Sequence, residues 1–289
     1  MNTVAIVIPT HNRADCLKLL LTQLNSQANV PARVHIIVVN DGSVDGTQTM
    51  LEKDFSGVTV VRGDGTWWYT RSVNEGLKAA LGMEADTIIT LNDDIEICPD
   101  YLSNILSSSA KYPDSLIGSI SLTKENPPKV TFSGIRKKNR YIQKSWEYLP
   151  YYSAVDMTSL SGTFPSMELP GRGMLIPVRV LKRTGLFDEL FFQYGSDYDF
   201  CTRARKFGFQ TFISHDAVVY SHDVLTRQNV PGNALGSREY FLKLFDKHTP
   251  YFIPNIIRYS FRCGGLPSAF FATPVFFLTF IINFFKQGK

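Results

Sequence analysis

The feature that most constrains this chain is a rhythm in its first third. Short runs that are apolar along their whole length alternate with segments whose apolar residues recur at helical spacing. "TVAIVI" (3–8), "RVHIIVVN" (33–40), "VTVV" (58–61) and "TIITL" (87–91) are the first kind. "ADCLKLLLTQLNSQ" (14–27), the segment from Asp45 to Asp54, "SVNEGLKAALG" (72–82) and "DYLSNILSSSAKY" (100–112) are the second. Strands apolar on both faces need cover on both faces, so the pattern predicts a mostly parallel, doubly wound α/β sheet with helices on either side. In such sheets ligands sit beyond the carboxyl ends of the strands, where the strand order reverses.

Beyond residue 112 the rhythm loosens. Short β-like runs such as "SLIGSISL" and "KVTFSGI" predict a mixed β extension over 115–161, followed by "GRGMLIPVRVLKRTGLFDELFF" (171–192) and an amphipathic helix in "SDYDFCTRARKFGF" (196–209). "LPSAFFATPVFFLTFIINFF" (266–285) carries no charge and as a helix is about 30 Å long, the thickness of a bilayer core. Pro267, Pro274 and Asn283 argue against spanning. Flanking Arg258, Arg262, Lys286 and Lys289 favour a segment lying in the membrane interface, the alternative being a helix that covers the domain or a dimer contact. The division expected is 1–235 as one domain, with a nucleotide half (1–112) and an acceptor half (113–235), and 236–289 as a membrane-associating tail.

Charge and cysteine usage narrow the class. Lys+Arg 30 against Asp+Glu 26 leaves +4, too little to make nucleic acid a default partner, and the local run "RKKNR" (136–140) reads as a solvated loop or a contact with anionic lipid. Cys16, Cys98, Cys201 and Cys263 stand singly, without metal-ligand spacing, as free thiols do in a reducing compartment. The apolar run after Met1 stops at Pro9 with no basic region before it, so the body is expected in the cytoplasm, peripheral to the inner face of the cell membrane.

Polar residues gather where the strands end: "PTHNR", "NDGSVDGT", "RGDGTWWYTRSVNEG" and "NDD" follow the four runs in turn. Each alone is an ordinary turn or helix cap. Four in succession at the binding edge are not. Asp93 and Asp94 are the sharpest case, because adjacent carboxylates repel unless they meet open water or a positive partner such as a divalent cation.

The pieces "IVIPTHNR", "IIVVNDGSVDGT", "RSVNEGL", "LNDDIEI", "GRGMLIPVRVLKRTGLFDE" and "YGSDYDFCTRARKFGF", in this order over about residues 3–225, resemble family 2 glycosyltransferases of the GT-A fold. "WWYTR" resembles bacterial members that build surface polysaccharides such as O-antigen or capsule, rhamnosyl- and galactosyltransferase-like. The resemblance implies a donor site at Pro9, Thr10, His11, Asn12, Arg13 and Asp41, with Asp41 accepting the imide N–H of uracil or thymine. Asp64, Gly65, Arg71, Asn74, Asn92 and Asp93 are implied beside the ribose and diphosphate. Arg71 reads equally as a helix-surface cation. Asp94 and His222 are implied as ligands of Mg²⁺ or Mn²⁺, a role that requires Asp94 to face the pocket free of a guanidinium salt link. Asp197 is implied as the general base of an inverting enzyme.

Trp67, Trp68, Gly171, Arg172, Gly173 and Asp199 are implied on the acceptor side, although both indoles read also as core and Asp199 as an ion pair with Arg203. The chain departs from the family at His11, at Asn92 in place of an acid, and at Ser196 in place of Glu before the base. The function implied is transfer from a UDP- or dTDP-sugar to a lipid-linked glycan. The other class kept open is a catalytically silent sugar-nucleotide-binding or scaffold member of a membrane polysaccharide assembly. Nicotinamide or ATP chemistry fits poorly, because "PTHNRAD" has no glycine and no phosphate-loop motif occurs.

Overall fold

The computed structural model describes residues 2–139, 141–221 and 237–286. β1 (Thr3–Thr10), α1 (Ala14–Asn25), β2 (Arg33–Asp41), α2 (Thr47–Asp54), β3 (Thr59–Gly63), α3 (Trp68–Gly82) and β4 (Thr87–Thr90) follow the alternation read from the apolar runs. Then come β5 (Ile95–Ile97), α4 (Tyr101–Lys111), β6 (Leu116–Leu122), β7 (Val130–Phe132), β8 (Ile135–Asn139), β9 (Lys144–Glu147), β10 (Thr163–Pro165) and β11 (Met174–Pro177). α5 (Val178–Thr184), α6 (Ser196–Lys206), β12 (Thr211–Ser221), α7 (Ser237–Leu242) and α8 (Ile253–Lys286) complete the order.

The main sheet runs β10-β12-β6-β11-β4-β1-β2-β3, with β5 added to β12 and β7 to β6. β1 lies between β2 and β4, parallel to both, so the strand order reverses there and opens a crevice at the carboxyl ends of β1 and β4. β11 runs antiparallel between β4 and β6, which makes the sheet mixed and continuous across the two halves. Alternate β1 residues feed two apolar layers. Ala5 and Val7 pack with Val73, Leu77 and Ala80 of α3. Val4, Ile6 and Ile8 pack with Leu17, Leu20 and Leu21 of α1. Gly76 sits where α3 crosses the sheet, and a Cβ there would stand 2.2 Å from Val7 Cγ1.

The tail differs from expectation in two ways. α8 begins at Ile253, well before residue 266, and bends at Gly264 and Gly265, whose φ of 69° suits glycine. Pro267 then falls in the first turn after the bend, where its missing N–H is not needed. The first leg belongs to the body: Arg258 donates to Leu190 O (3.0 Å) and Arg262 to Asp188 (2.6 Å). These two arginines therefore face protein instead of lipid phosphates. The side chain of Lys286, all of Lys289 and Arg140 of the basic run lie outside the described residues. Buried Lys138 pairs with Glu168, which also accepts from the Tyr259 hydroxyl, fastening α8 to β8. On the second leg Phe280 packs into Tyr240 and Leu244, while Leu266, Phe270, Leu278 and Phe285 are exposed.

Candidate functional site

The loops after β1, β2, β3 and β4 and the start of α6 open on one cavity of about 710 Å³. From the first loop Pro9, Thr10, His11 and Arg13 line it, and Asn92, Asp93 and Asp94 line it from the end of β4. Asp41, Gly65 and Trp68 contribute from the next loops, and Gly171, Arg172 and Asp197 from the part of the chain after residue 112.

The acidic cluster is not bare. Asp93 is buried, with Oδ2 accepting from Thr10 Oγ1 at 2.7 Å and Oδ1 from Arg13 Nη1 at 3.0 Å. Burial pushes its carboxyl up to about 6, against the pull of Arg13 and with the help of neighbouring Asp94. Arg13 Nη1 also reaches Asp94 Oδ2 at 2.8 Å. Burial works against the guanidinium charge, but the two carboxylates outweigh it and raise its pKa. Asp94 therefore faces the cavity but does not meet the condition of freedom from a guanidinium salt link; its Oδ1 accepts no hydrogen bond among the described residues. No group of three or more His, Cys, Asp or Glu side chains suited to a metal occurs among those residues. His222 lies outside them. One open carboxylate oxygen beside room for a diphosphate still fits a hard cation, which takes few protein ligands when phosphates supply the rest.

Asp41 organises the next loop. Its Oδ1 accepts from Gly65 N (2.8 Å) and its Oδ2 from Trp67 N (2.9 Å) and Trp68 N (3.0 Å). These bonds start α3 at Trp68, ahead of residue 72, and hold Trp68 at φ 57°, a strained value for an indole side chain. A carboxylate has about four acceptor positions, so one remains for a ligand. The Trp68 ring lies 4.0 Å from the His248 ring, so at least part of one face is covered by protein.

Asp197 sits in the first turn of α6, after Gly195 at φ 92°. Its Oδ2 accepts from Gly171 N at 2.9 Å and its Oδ1 from Tyr198 N at 2.9 Å. Burial nevertheless pushes its carboxyl up to about 6, the backbone bonds opposing. The helix terminus therefore does not hold it in the ordinary acid range; it is ionised at neutral pH but more basic than a free Asp. Arg172 bonds Ser221 Oγ at 3.0 Å, and its buried Nε has no partner among the described residues. Ser196 is fully buried and accepts from Thr70 Oγ1 at 2.9 Å, so it does not line the cavity as its neighbours Gly195 and Asp197 do.

Several expected site residues stand elsewhere. Asp199 is fully buried and bonded to Arg203 Nε at 2.7 Å, which makes it an internal ion pair and not an acceptor contact. Asn74 exchanges hydrogen bonds with the Phe187 backbone, and Asn12 joins the first two loops through Ser43 and Val44. Arg71 is exposed over the Trp67 ring, at 4.9 Å, while Trp67 packs against the core. Asp64 closes a turn on Thr66, and Gly173 at φ 87° lies against Ser119. None of these seven lines the cavity. Sequence reading missed Tyr69, Phe191, Asn255, Ile256 and Tyr259, which do. Tyr69 was signalled only by following the tryptophan pair, and the α8 residues only by a run that reads as tail.

A family model described as Glycosyl transferase family 2 matches residues 5–161. An uncharacterized glycosyltransferase of Rickettsia typhi is 23% identical over 231 residues, 78% of this chain and 64% of that protein, so the chain spans less than two thirds of its relative. The crystal structure of GalNAc-T7 with UDP, GalNAc and Mn²⁺ superposes at TM-score 0.61 and 13% identity, covering 76% of this chain and 44% of that one. S. aureus TarS 1–349 superposes at 0.57 and 14% identity, covering 100% and 92%. At these identities the structural likeness is one of fold, the mixed GT-A sheet.

Proposed function

The chain belongs to glycosyl transferase family 2, and from that premise we propose that it is an inverting enzyme. It moves a sugar from a UDP- or dTDP-sugar to a lipid-linked glycan at the inner face of a bacterial membrane, in surface-polysaccharide synthesis. The observation that carries this reading is that one cavity is lined by two sets of acids, Asp93 and Asp94 just beyond β4 and Asp197 in the first turn of α6.

Pro9, Thr10 and the remaining acceptor position of Asp41 hold the base. Asp197 takes the proton of the acceptor hydroxyl as that oxygen attacks the anomeric carbon opposite the departing nucleotide, which inverts the centre. Its raised pKa makes it a stronger base than an exposed Asp. Arg13 and Arg172 supply positive charge where the diphosphate departs. Asp94, with His222 beyond the described residues, would hold Mg²⁺ or Mn²⁺, which when bound neutralises the leaving diphosphate. The exposed Phe and Leu residues of the second α8 leg support peripheral membrane attachment.

A second reading, a silent sugar-nucleotide binder, is favoured by one observation, the Arg13 contact that already occupies Asp94 Oδ2. One experiment separates them. UDP-, dTDP- and GDP-sugars are screened for binding with and without Mn²⁺, and turnover is then followed in wild type and Asp197→Asn. Turnover lost in the variant while binding persists supports the enzyme; binding without turnover in wild type supports the silent member; no binding of any nucleotide removes both.

A further inference from the structure

Tyr69 occupies the second position of α3, with its backbone N–H donating to Gln193 Oε1 at 3.2 Å. Its neighbour Thr70 bonds Ser196 Oγ at 2.9 Å, so this turn is fastened to the first turn of α6, which carries Asp197. The ring reaches beneath Gly171. A Cβ added to Gly171 would stand 1.7 Å from Tyr69 Oη, so only glycine leaves room for this hydroxyl. The same Gly171 holds Asp197 through its N–H at 2.9 Å. Tyr69 lines the cavity, yet its hydroxyl makes no hydrogen bond among the described residues.

Position decides what such a hydroxyl meets. Tyr69 Oη lies against Gly171, whose N–H holds Asp197, and Tyr69 lines the same cavity as Asp94 and Arg172. Burial, helped by the Asp197 charge, holds the phenol well above its ordinary range, so it keeps its proton and can donate. If the nucleotide departs at the β4 end and the acceptor arrives at Asp197, the transferred sugar spans the interval between them.

We propose that Tyr69 donates a hydrogen bond to a hydroxyl of the sugar being transferred and so helps to select which sugar the site accepts. The inference rests on the sugar-nucleotide reading above and names the group that reads the sugar. A pocket built to bond a substrate hydroxyl discriminates more strongly than an apolar one, because the analogue leaves a polar group unpaired.

The test uses the full-length protein and Tyr69→Phe. The variant keeps the ring and loses a hydroxyl that makes no hydrogen bond among the described residues, so equal melting temperatures are expected. Calorimetry with UDP, dTDP, UDP-glucose, UDP-galactose, their 2-acetamido counterparts and dTDP-rhamnose compares each sugar nucleotide with its own nucleotide. In Tyr69→Phe the nucleotides bind as to wild type, the added affinity of the preferred sugar falls about tenfold, and the preference between sugars differing at one carbon collapses. An unchanged preference, or equal loss of affinity for UDP and UDP-sugar, overturns the proposal and leaves the enzyme reading standing. Failure of wild type to bind any nucleotide overturns both.

Discussion

Arg13 Nη1 reaches Asp93 Oδ1 at 3.0 Å and, with the same nitrogen, Asp94 Oδ2 at 2.8 Å. One guanidinium from the first loop therefore holds together two carboxylates just beyond the fourth strand, and part of their charge is offset before any ligand arrives.

Arg13→Ala leaves those acids side by side and nearly buried. The expected loss of folding stability is about 2–4 kcal/mol, at or below the range for a fully buried pair because the Arg13 side chain is 37% exposed. Urea unfolding at pH 7.5 measures it. The loss should shrink on acidification through about 6, as Asp93 takes a proton, and added Mn²⁺ should restore the variant more than the wild type. A variant as stable as wild type would show the clasp to be weak.

Asp197 predicts a pH profile. A base must be ionised, so kcat/KM should fall on the acid side with a midpoint of about 6, well above the ordinary Asp range. The linkage has the opposite sign for folding. A carboxyl raised on folding contributes stability that is complete below about pH 4 and lost as pH rises through about 6. Asp197→Asn should lower kcat by roughly 10²–10⁴ and abolish the limb. A limb that persists in the variant belongs to another group.

Gly76→Val tests the packing beneath the site. Even a Cβ meets Val7 Cγ1 at 2.2 Å and Val39 Cγ2 at 3.1 Å, and neither branched side chain can turn aside cheaply. Overpacking of this kind costs about 1–3 kcal/mol, read as a lower midpoint in thermal or denaturant unfolding.

For the tail, deletion from Pro250 confounds two effects, since it removes Asn255, Ile256 and Tyr259 from the cavity along with the apolar leg. Phe270→Glu with Leu278→Glu separates them. Both residues are exposed, at 73% and 60%, so the fold and nucleotide binding should survive while sedimentation with anionic vesicles is lost. Vesicle binding that persists would assign the leg another partner.

What could be read beforehand followed from periodicity. β1 to β4 and their helices were legible because a strand covered on both faces has to be apolar throughout, and the cavity was legible because ligands gather where such strands end. Asp93 and Asp94 line that cavity for this reason, whereas Asp197, which the resemblance alone implied, reaches it from the first turn of α6. The misses share a different cause. Whether Asp41 or Asn74 faces a ligand or a backbone amide depends on hydrogen-bond partners more than twenty residues away, which spacing does not encode. The Arg13 clasp joins residues 80 and 81 apart. In α8 one long apolar run conceals a bend that gives its legs separate tasks.

The bond from Tyr259 to Glu168 closes a span of 91 residues. Translation delivers the nucleotide loops, the strand-end acids and the base long before this closing wall emerges. A ribosome-bound chain is thus an open-sided vessel, its cavity lacking the Asn255, Ile256 and Tyr259 wall until α8 is free to dock.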